Sequence, residues 1–306
     1  MACVGFVGLG AMGAPMAANL ARAGRKVVLC DARPGAARAL ADTFAGGAEV
    51  AGSPAELAAR EDVEVVVSML PGAAQVEEVY LGTDGLLSET ERFRPKLLID
   101  SSTTGPEMAK ELYTACQAHP RKPLVVDAPV SGGVPGAEQA TLTFMVGGSE
   151  TCFGGARPVL QEMGRRLVHC GANGAGQAAK LCNNLVLGIS MAGVAEGLAL
   201  GKQLGLDTKL LSDVLNTSSG RCWSSDTYNP CPGVMEGVPA ARDYKNGFLT
   251  DLMIKDLLIA RNSADHTDQP IPMGASALEL YQRLSAEGHG LEDFGAIYKH
   301  FYSRTE

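Results

Sequence analysis

A chain of 306 residues is long enough for about two domains and a sizeable core. Its composition, 46% hydrophobic and 20% charged with glycines that show no repeat, excludes a disordered, fibrous or collagenous protein. A net charge of −8 argues against a nucleic-acid partner, since such binders carry a basic footprint.

Short apolar runs at 3–7, 27–30, 63–69, 97–99 and 124–126 read as strands, and Ala-rich amphipathic stretches such as 12–23 and 106–118 lie between them. Strands alternating with helices indicate a parallel sheet covered on both faces. Residues 141–146 alternate polar and apolar and add a further strand. From Gly174 onward no strand pattern follows. Residues 177–204 read as one long helix, and Asp207 is placed to cap the next, 209–215. Pro230, Pro232 and Pro239 mark an irregular loop, and 250–264 and 273–287 are further helices. The expected fold is α/β: a Rossmann-type dinucleotide-binding domain over 1–165, then an all-α domain over 166–306 built on the long helix.

The most apolar run, 185–195, is bounded by Asn184 and Glu196 and falls short of the about 20 residues a bilayer span needs, so no membrane partner is expected. The chain enters a strand pattern at once, without a presequence pattern. Eight cysteines form no CxxC pair and only five histidines are present, so reduced thiols and no metal are expected.

Gly8-Leu9-Gly10-Ala11-Met12-Gly13 lies between the first strand and the first helix, which is the setting that gives GxGxxG its meaning. Gly8 permits the tight turn, Gly10 admits a pyrophosphate, and Gly13 lets helix pack on strand. The helix N-terminus supplies N–H groups and partial positive charge. Asp31 ends the second strand, where a carboxylate grips the ribose hydroxyls of NAD and repels the 2′-phosphate of NADP. Arg33, two residues on, is a group that can pair with that phosphate, but the carboxylate holds the contact position and NAD is expected.

Further candidates stand at the carboxyl ends of later strands, where ligands of doubly wound sheets bind. Asp100-Ser101-Ser102-Thr103 is one. In Asp127-Ala128-Pro129-Val130-Ser131-Gly132-Gly133, the Ser131 hydroxyl and the Gly132 and Gly133 N–H groups suit a carboxylate, although an ordinary Ser-Gly-Gly turn reads the same way. Lys180, Asn183 and Asn184 share one face of the long helix at i, i+3 and i+4. Their neighbours are Ala178, Ala179, Leu181, Leu185 and Val186, and apolar surroundings disfavour an ammonium, which fits Lys180 for general-base work near neutral pH. The other reading is a lysine snorkelling to solvent. No GxSxG elbow and no P-loop is present. His119 and His169 show no evident partner and read as core or surface residues.

From Val4 to about Tyr298 the chain resembles the β-hydroxyacid dehydrogenase family. The resemblance is carried by GFVGLGAMGAPMAANL, by DAPVSGG, by GAGQAAKLCNN, and by SSGRCWSSDTYNPCPGVMEGVP at 218–239, a long irregular stretch holding the only tryptophan. It implies NAD⁺-dependent oxidation of a small, methyl-bearing 3-hydroxy acid to its semialdehyde, a step of valine breakdown. It implies Lys180 as the catalytic base, Asn184 beside it on the substrate, and Ser131, Gly132 and Gly133 on the substrate carboxylate. Leu70, Pro71 and Gln75 match the loop under the cofactor, Thr103 its nicotinamide end, and Lys255 a lysine that reaches cofactor or substrate. Trp223 and Phe248 shape the pocket, Phe248 on the cofactor side. The alternatives are a tartronate or succinic semialdehyde reductase of the same family, some of which take NADPH, and a non-catalytic reader or scaffold. The Trp223 stretch favours the methyl-bearing substrate, and the presence of Lys180 favours catalysis. The long, Ala-rich helix predicts homodimers or homotetramers. The family implies the mitochondrial matrix for a eukaryotic source and the cytoplasm for a bacterial one.

Overall fold

The structure, a computed structural model, describes residues 2–33, 35–44 and 48–302. It divides into two compact units, Met1–Lys180 and Leu181–Glu306.

The first unit is built on a nine-stranded sheet. Its strands are β1 (Cys3–Val7), β2 (Val27–Cys30), β3 (Glu49–Val50), β4 (Val63–Ser68), β5 (Leu97–Asp100), β6 (Leu124–Asp127), β7 (Val130–Ser131), β8 (Leu142–Gly147) and β9 (Gly164–Gly171). They lie in the order β3-β2-β1-β4-β5-β6-β8-β7, with β9 also paired to β8. From β3 to β6 every pairing is parallel; β8 runs antiparallel to β6 and β7, and β9 parallel to β8. The chain starts mid-sheet, builds to one edge, and returns to the other side of β1. That reversal between β1 and β4 opens the crevice in which doubly wound sheets bind dinucleotides.

Adjacent residues of one strand feed different cores. Val27, Leu29, Leu97, Ile99 and Val126 join Met16, Leu20 and Phe144 on one face. Val28, Leu98 and Val125 join Leu57, Tyr80 and Leu112 on the other. This two-sided burial is why these strands read as continuous apolar runs rather than alternating ones. The expected β1 and β2 match residue for residue. Strands β3, β7 and β9 carry no signal of that kind. Two are two residues long, and β9 carries exposed Arg165 and Arg166 directly after Gly164 and pairs with β8 alone among the described strands. As a result the sheet continues past residue 165, where the sequence reading ended the α/β domain.

In the second unit, helices Thr208–Thr217, Thr250–His266 and Pro272–Leu284 accompany the long helix Ala175–Gln203, which starts in the first unit. Asp207 caps as expected, its Oδ1 accepting the Leu210 N–H at 2.9 Å. Pro272–Leu284 gives way to a π turn at Ser285–His289, so that helix is shorter than its pattern suggests. Gly188 allows the close approach of Met253 and Leu257, whose side chains would lie 3.1 and 3.3 Å from an added Cβ. Met191, Ala195, Leu198, Leu278, Tyr281 and Phe294 complete the core. By length and composition alone the Ala175–Gln203 helix is apolar enough to cross a membrane, contrary to the sequence expectation; half of its most apolar window is buried within the protein. The apolar count there is raised by core-facing side chains that the reading of 185–195 cut short at Asn184 and Glu196.

Buried Asp293 ties the irregular stretch together. Its Oδ2 accepts from the Tyr228 hydroxyl and the Phe248 N–H, both at 2.8 Å, and its Oδ1 from the Gly295 N–H at 2.9 Å. Burial pushes its carboxyl up from 3.8 to about 6, against the pull of those donors. The folded state then holds a proton that the unfolded state releases, so this group's contribution weakens as pH rises from about 4 to about 6 and is flat above. Urea midpoints measured across that window are expected to show this loss, at most about 3 kcal/mol from one group, and Asp293→Asn to flatten it.

Candidate active site

The glycine loop shows why each glycine is needed. Gly8 sits at φ +90, and a Cβ there would lie 2.4 Å from the Met69 carbonyl oxygen. A Cβ on Gly13 would lie 1.9 Å from the Gly8 carbonyl oxygen, so only glycine lets the helix start against the turn. Gly10 is exposed and nothing lies within 4 Å of the position its Cβ would take. Helix Gly13–Arg22 begins there with no described side chain capping it. Its first N–H groups are thus available to a phosphate, which the macrodipole also favours. Leu9 is buried, Ala11 exposed and Met12 half-buried around the same turn.

Asp31 braces this loop from the end of β2. Its Oδ2 accepts the Leu9 N–H at 2.6 Å, and its Oδ1 accepts the Arg33 N–H at 2.8 Å and Arg33 Nε at 3.0 Å. Arg33 Nη2 also donates to the Leu9 carbonyl at 2.7 Å. Burial alone would raise the Asp31 carboxyl, but the Arg33 guanidinium and the two N–H groups outweigh it and hold it below its ordinary value. An ionised carboxylate has lone pairs to spare for ribose hydroxyls and repels a phosphate.

On the other side of the crevice, a buried polar network fixes the loops after β4 and β5. Asp100 Oδ1 accepts from Ser68 Oγ at 2.8 Å and from Ser102 Oγ at 2.6 Å, and Tyr80 Oη lies 2.8 Å from Ser68 Oγ. Ser102 Oγ in turn accepts the Leu70 N–H at 2.9 Å. Burial pushes the Asp100 carboxyl up. Through Ser102 the network joins Leu70 to the strand that leads into Thr103, both half-buried. Pro71 and Gln75 are exposed beside them.

Ser131 is paired to Thr143 across β7 and β8, and the next two residues, Gly132 at φ +135 and Gly133 at φ +60, turn sharply into solvent. Glycine alone takes both of these φ values easily, and neither residue puts a side chain of its own before the backbone N–H groups there. Lys180 is 8% exposed on the helix that follows β9. That helix is bolted to the sheet by Asp127, whose Oδ1 accepts the Gly174 N–H at 2.7 Å and whose Oδ2 accepts the Gln177 N–H at 2.9 Å. Burial raises the Asp127 carboxyl and these N–H groups pull it back.

The second unit holds the remaining candidates. Asn184 is 2% exposed and donates from Nδ2 to Asp256 Oδ2 at 2.6 Å. Asn183, expected on the same face, is exposed and donates to Asn184 Oδ1 at 3.0 Å. Lys255 Nζ lies 3.3 Å from Asp256 Oδ1. Asp256 was absent from the sequence candidates; a carboxylate flanked by the apolar runs 252–254 and 257–260 was the available signal. Trp223 stacks on Tyr228 at 4.7 Å and Phe248 meets Phe294 edge-on at 5.8 Å, so Asp293 braces both pocket candidates through Tyr228 and the Phe248 backbone. His169, read as partnerless, lies 2.7 Å from the Gly148 carbonyl and 3.1 Å from Glu150 and stacks on Phe153. Those partners sit in the turn after β8, which strand pairing with β9 brings near and sequence spacing does not reveal. Likewise His119 lies 3.1 Å from the Glu89 carbonyl.

Residues 3–171 match the family described as the NAD binding domain of 6-phosphogluconate dehydrogenase, and residues 174–301 the one described as NAD-binding of NADP-dependent 3-hydroxyisobutyrate dehydrogenase. The human mitochondrial 3-hydroxyisobutyrate dehydrogenase is 48% identical over 97% of this chain and 85% of its own length. A probable mitochondrial 3-hydroxyisobutyrate dehydrogenase of Arabidopsis thaliana is 47% identical over 98% and 87%. Among solved structures, the Mycobacterium tuberculosis 3-hydroxyisobutyrate dehydrogenase with L-serine superposes with a TM-score of 0.89 at 42% identity, covering 98% of this chain and 99% of that one.

An ionised carboxylate at the end of β2 disfavours a phosphate beside it. NAD⁺ is expected to give a kcat/KM at least about tenfold that of NADP⁺, the equivalent of one charged hydrogen bond. Asp31→Asn is expected to narrow that ratio, and equal use of the two cofactors by the unaltered protein contradicts the assignment.

Proposed function

This chain belongs to the 3-hydroxyisobutyrate dehydrogenases of the β-hydroxyacid dehydrogenase family, and on that footing we propose that it oxidises 3-hydroxyisobutyrate to methylmalonate semialdehyde with Lys180 as general base. The observation that carries the reading is a lysine only 8% exposed. It stands one turn beyond the point where Asp127 fixes its helix to the end of β6, in the same unit as the glycine loop. NAD⁺ is the cofactor, held by Gly8 to Gly13 and Asp31, with Leu70, Pro71 and Gln75 in the loop under it and Thr103 at its nicotinamide end, and it supplies a hydride acceptor.

The residues divide the remaining work. Lys180, uncharged, takes the proton of the substrate hydroxyl as the carbon loses its hydride, and in the reverse direction its ammonium returns that proton. A hydroxyl is a poor acid, so proton removal has to accompany hydride loss, which is where a positioned base contributes. Ser131 Oγ and the N–H groups of Gly132 and Gly133 hold the substrate carboxylate, which carries no reacting bond but fixes the orientation. Asn184 has two amide hydrogens; Asp256 takes one and sets the plane of the amide, and the other serves the substrate oxygen. Lys255 is assigned to the cofactor, Trp223 to the methyl-bearing end of the substrate, and Phe248 to the cofactor side of the pocket.

We assign the helical half a second duty. Leu200 near the end of the long helix, Leu204 and Leu206 in the connection after it, and Leu210 and Val214 on the next helix are 46% to 72% exposed. An apolar strip of that extent favours self-association, so a homodimer or homotetramer is the expected species. The relatives named above from eukaryotes carry mitochondrial names. Those names support a matrix location for a eukaryotic source, and we propose the cytoplasm for a bacterial one.

Lys180→Ala is expected to lower kcat by at least about 10²-fold while NADH binding, followed by fluorescence, stays nearly intact. A near-native kcat removes the mechanism. Ser131→Ala is expected to raise KM for the acid more than it lowers kcat; a change confined to NADH affinity contradicts the carboxylate role. Light scattering is expected to give a multiple of the 31.8 kDa chain mass at micromolar concentration, and the double change Leu204→Asp with Leu210→Asp to shift it toward the monomer.

A further inference from the structure

Gln177 is fully buried, and every polar atom of its side chain is engaged within the first unit. Its Oε1 accepts the Thr104 N–H at 3.0 Å and the Gly105 N–H at 3.2 Å. Its Nε2 donates to the Ser102 carbonyl at 2.8 Å. The amide therefore grips the backbone on both sides of Thr103 and leaves that residue as the apex of the loop. Its own N–H is the one given to Asp127. From the sheet side, Asp100 holds the same loop through the Ser102 N–H at 3.1 Å and the Ser102 hydroxyl at 2.6 Å.

We infer that Gln177 is a positioning residue for hydride transfer, setting the loop at the nicotinamide end of the cofactor against the helix that carries Lys180. The inference rests on the reading of Lys180 and Thr103 given above. Its physical basis is that Gln177 lies three residues before Lys180 on one rigid helix, so the clamp fixes the height of the loop relative to the base. No other neutral side chain of that length offers both an acceptor for two N–H groups and a donor for a carbonyl. Removing it strands three buried backbone groups, and the loop has to shift to find water. Transfer between reacting atoms is steep in distance; a displacement on the order of 1 Å costs about 10²-fold.

The test uses the full chain with Gln177→Met, which keeps the length and loses the hydrogen bonds, and Gln177→Glu, which keeps the acceptor for Thr104 and Gly105. The protein preloaded with NAD⁺ is mixed with saturating 3-hydroxyisobutyrate, and the single-turnover rate of NADH formation is read with protiated substrate and with substrate deuterated at the hydroxyl-bearing carbon. The expected result is a rate at least about tenfold lower for Gln177→Met, with a full deuterium effect, NADH affinity within a few-fold of native, and partial recovery in Gln177→Glu. A native single-turnover rate in a folded variant, with only the melting temperature lowered, overturns the inference. If Gln177→Met does not fold, Gln177→Glu decides: a lowered rate with intact NADH binding supports the clamp and a native rate overturns it. Lys180→Ala run alongside separates the two claims. Activity lost in Lys180→Ala but native in the Gln177 variants removes the clamp alone, and activity kept in Lys180→Ala removes the underlying mechanism.

Discussion

A buried carboxylate, Asp127, joins the sheet to the helix that bears the proposed base. It ends β6 and takes two N–H groups from the opening of the Ala175–Gln203 helix, at Gly174 and Gln177. A helix start has unpaired donors and partial positive charge, and a carboxylate answers both. The surroundings enforce the fit. A Cβ on Gly176 would lie 2.3 Å from the Met145 carbonyl oxygen, and one on Gly147 would lie 2.4 Å from the carboxylate itself. Three glycines and one acid therefore fix where the helix begins, and with it the place of every residue on its first turns. Burial raises the carboxyl, so the contact is made at a cost that only full hydrogen bonding offsets.

Asp100 does comparable work one strand away, where it holds the loop that follows β5 while Asp127 holds the start of the long helix. In the second unit Asp256 and Asp293 act similarly, one orienting Asn184 and the other bracing Tyr228 and the backbone of Phe248. All four acids are 3% exposed or less. The recurrent pattern is a buried acid whose described hydrogen-bond partners are backbone N–H, amide or hydroxyl groups, with Lys255 beside Asp256 as an added cation. A neutral donor fixes the acid's geometry without a second charge to desolvate.

The sequence was legible where periodicity or spacing carries the physics. Strands buried on both faces stand out as apolar runs, which is why β1 and β2 were found to the residue. GxGxxG stands out because steric limits at Gly8 and Gly13 leave no other residue possible. The cap at Asp207 is local and was found for that reason. Contacts set by tertiary placement were not legible. Asp127 and Asp100 look like polar residues in strand-end loops, yet their partners come from residues 174–177 and from Ser68. Asn183 and Asn184 look alike on a helical wheel, but one is exposed and the other meets Asp256. Strand β9 escaped because an edge strand with exposed arginines lacks the apolar run of its neighbours.

The way the strands divide their side chains has a consequence for how this gene can change. Leu97 and Ile99 belong to one core and Leu98 to the other, and the strand ends directly in Asp100. Substituting one of these leucines leaves a local hole. Inserting or deleting a single codon within the strand instead sends each downstream side chain to the opposite layer and turns the acid away from its donors. Length drift is therefore confined to the connections, and the spacing from the apolar run to the acid that closes it is less free to vary than the identity of either.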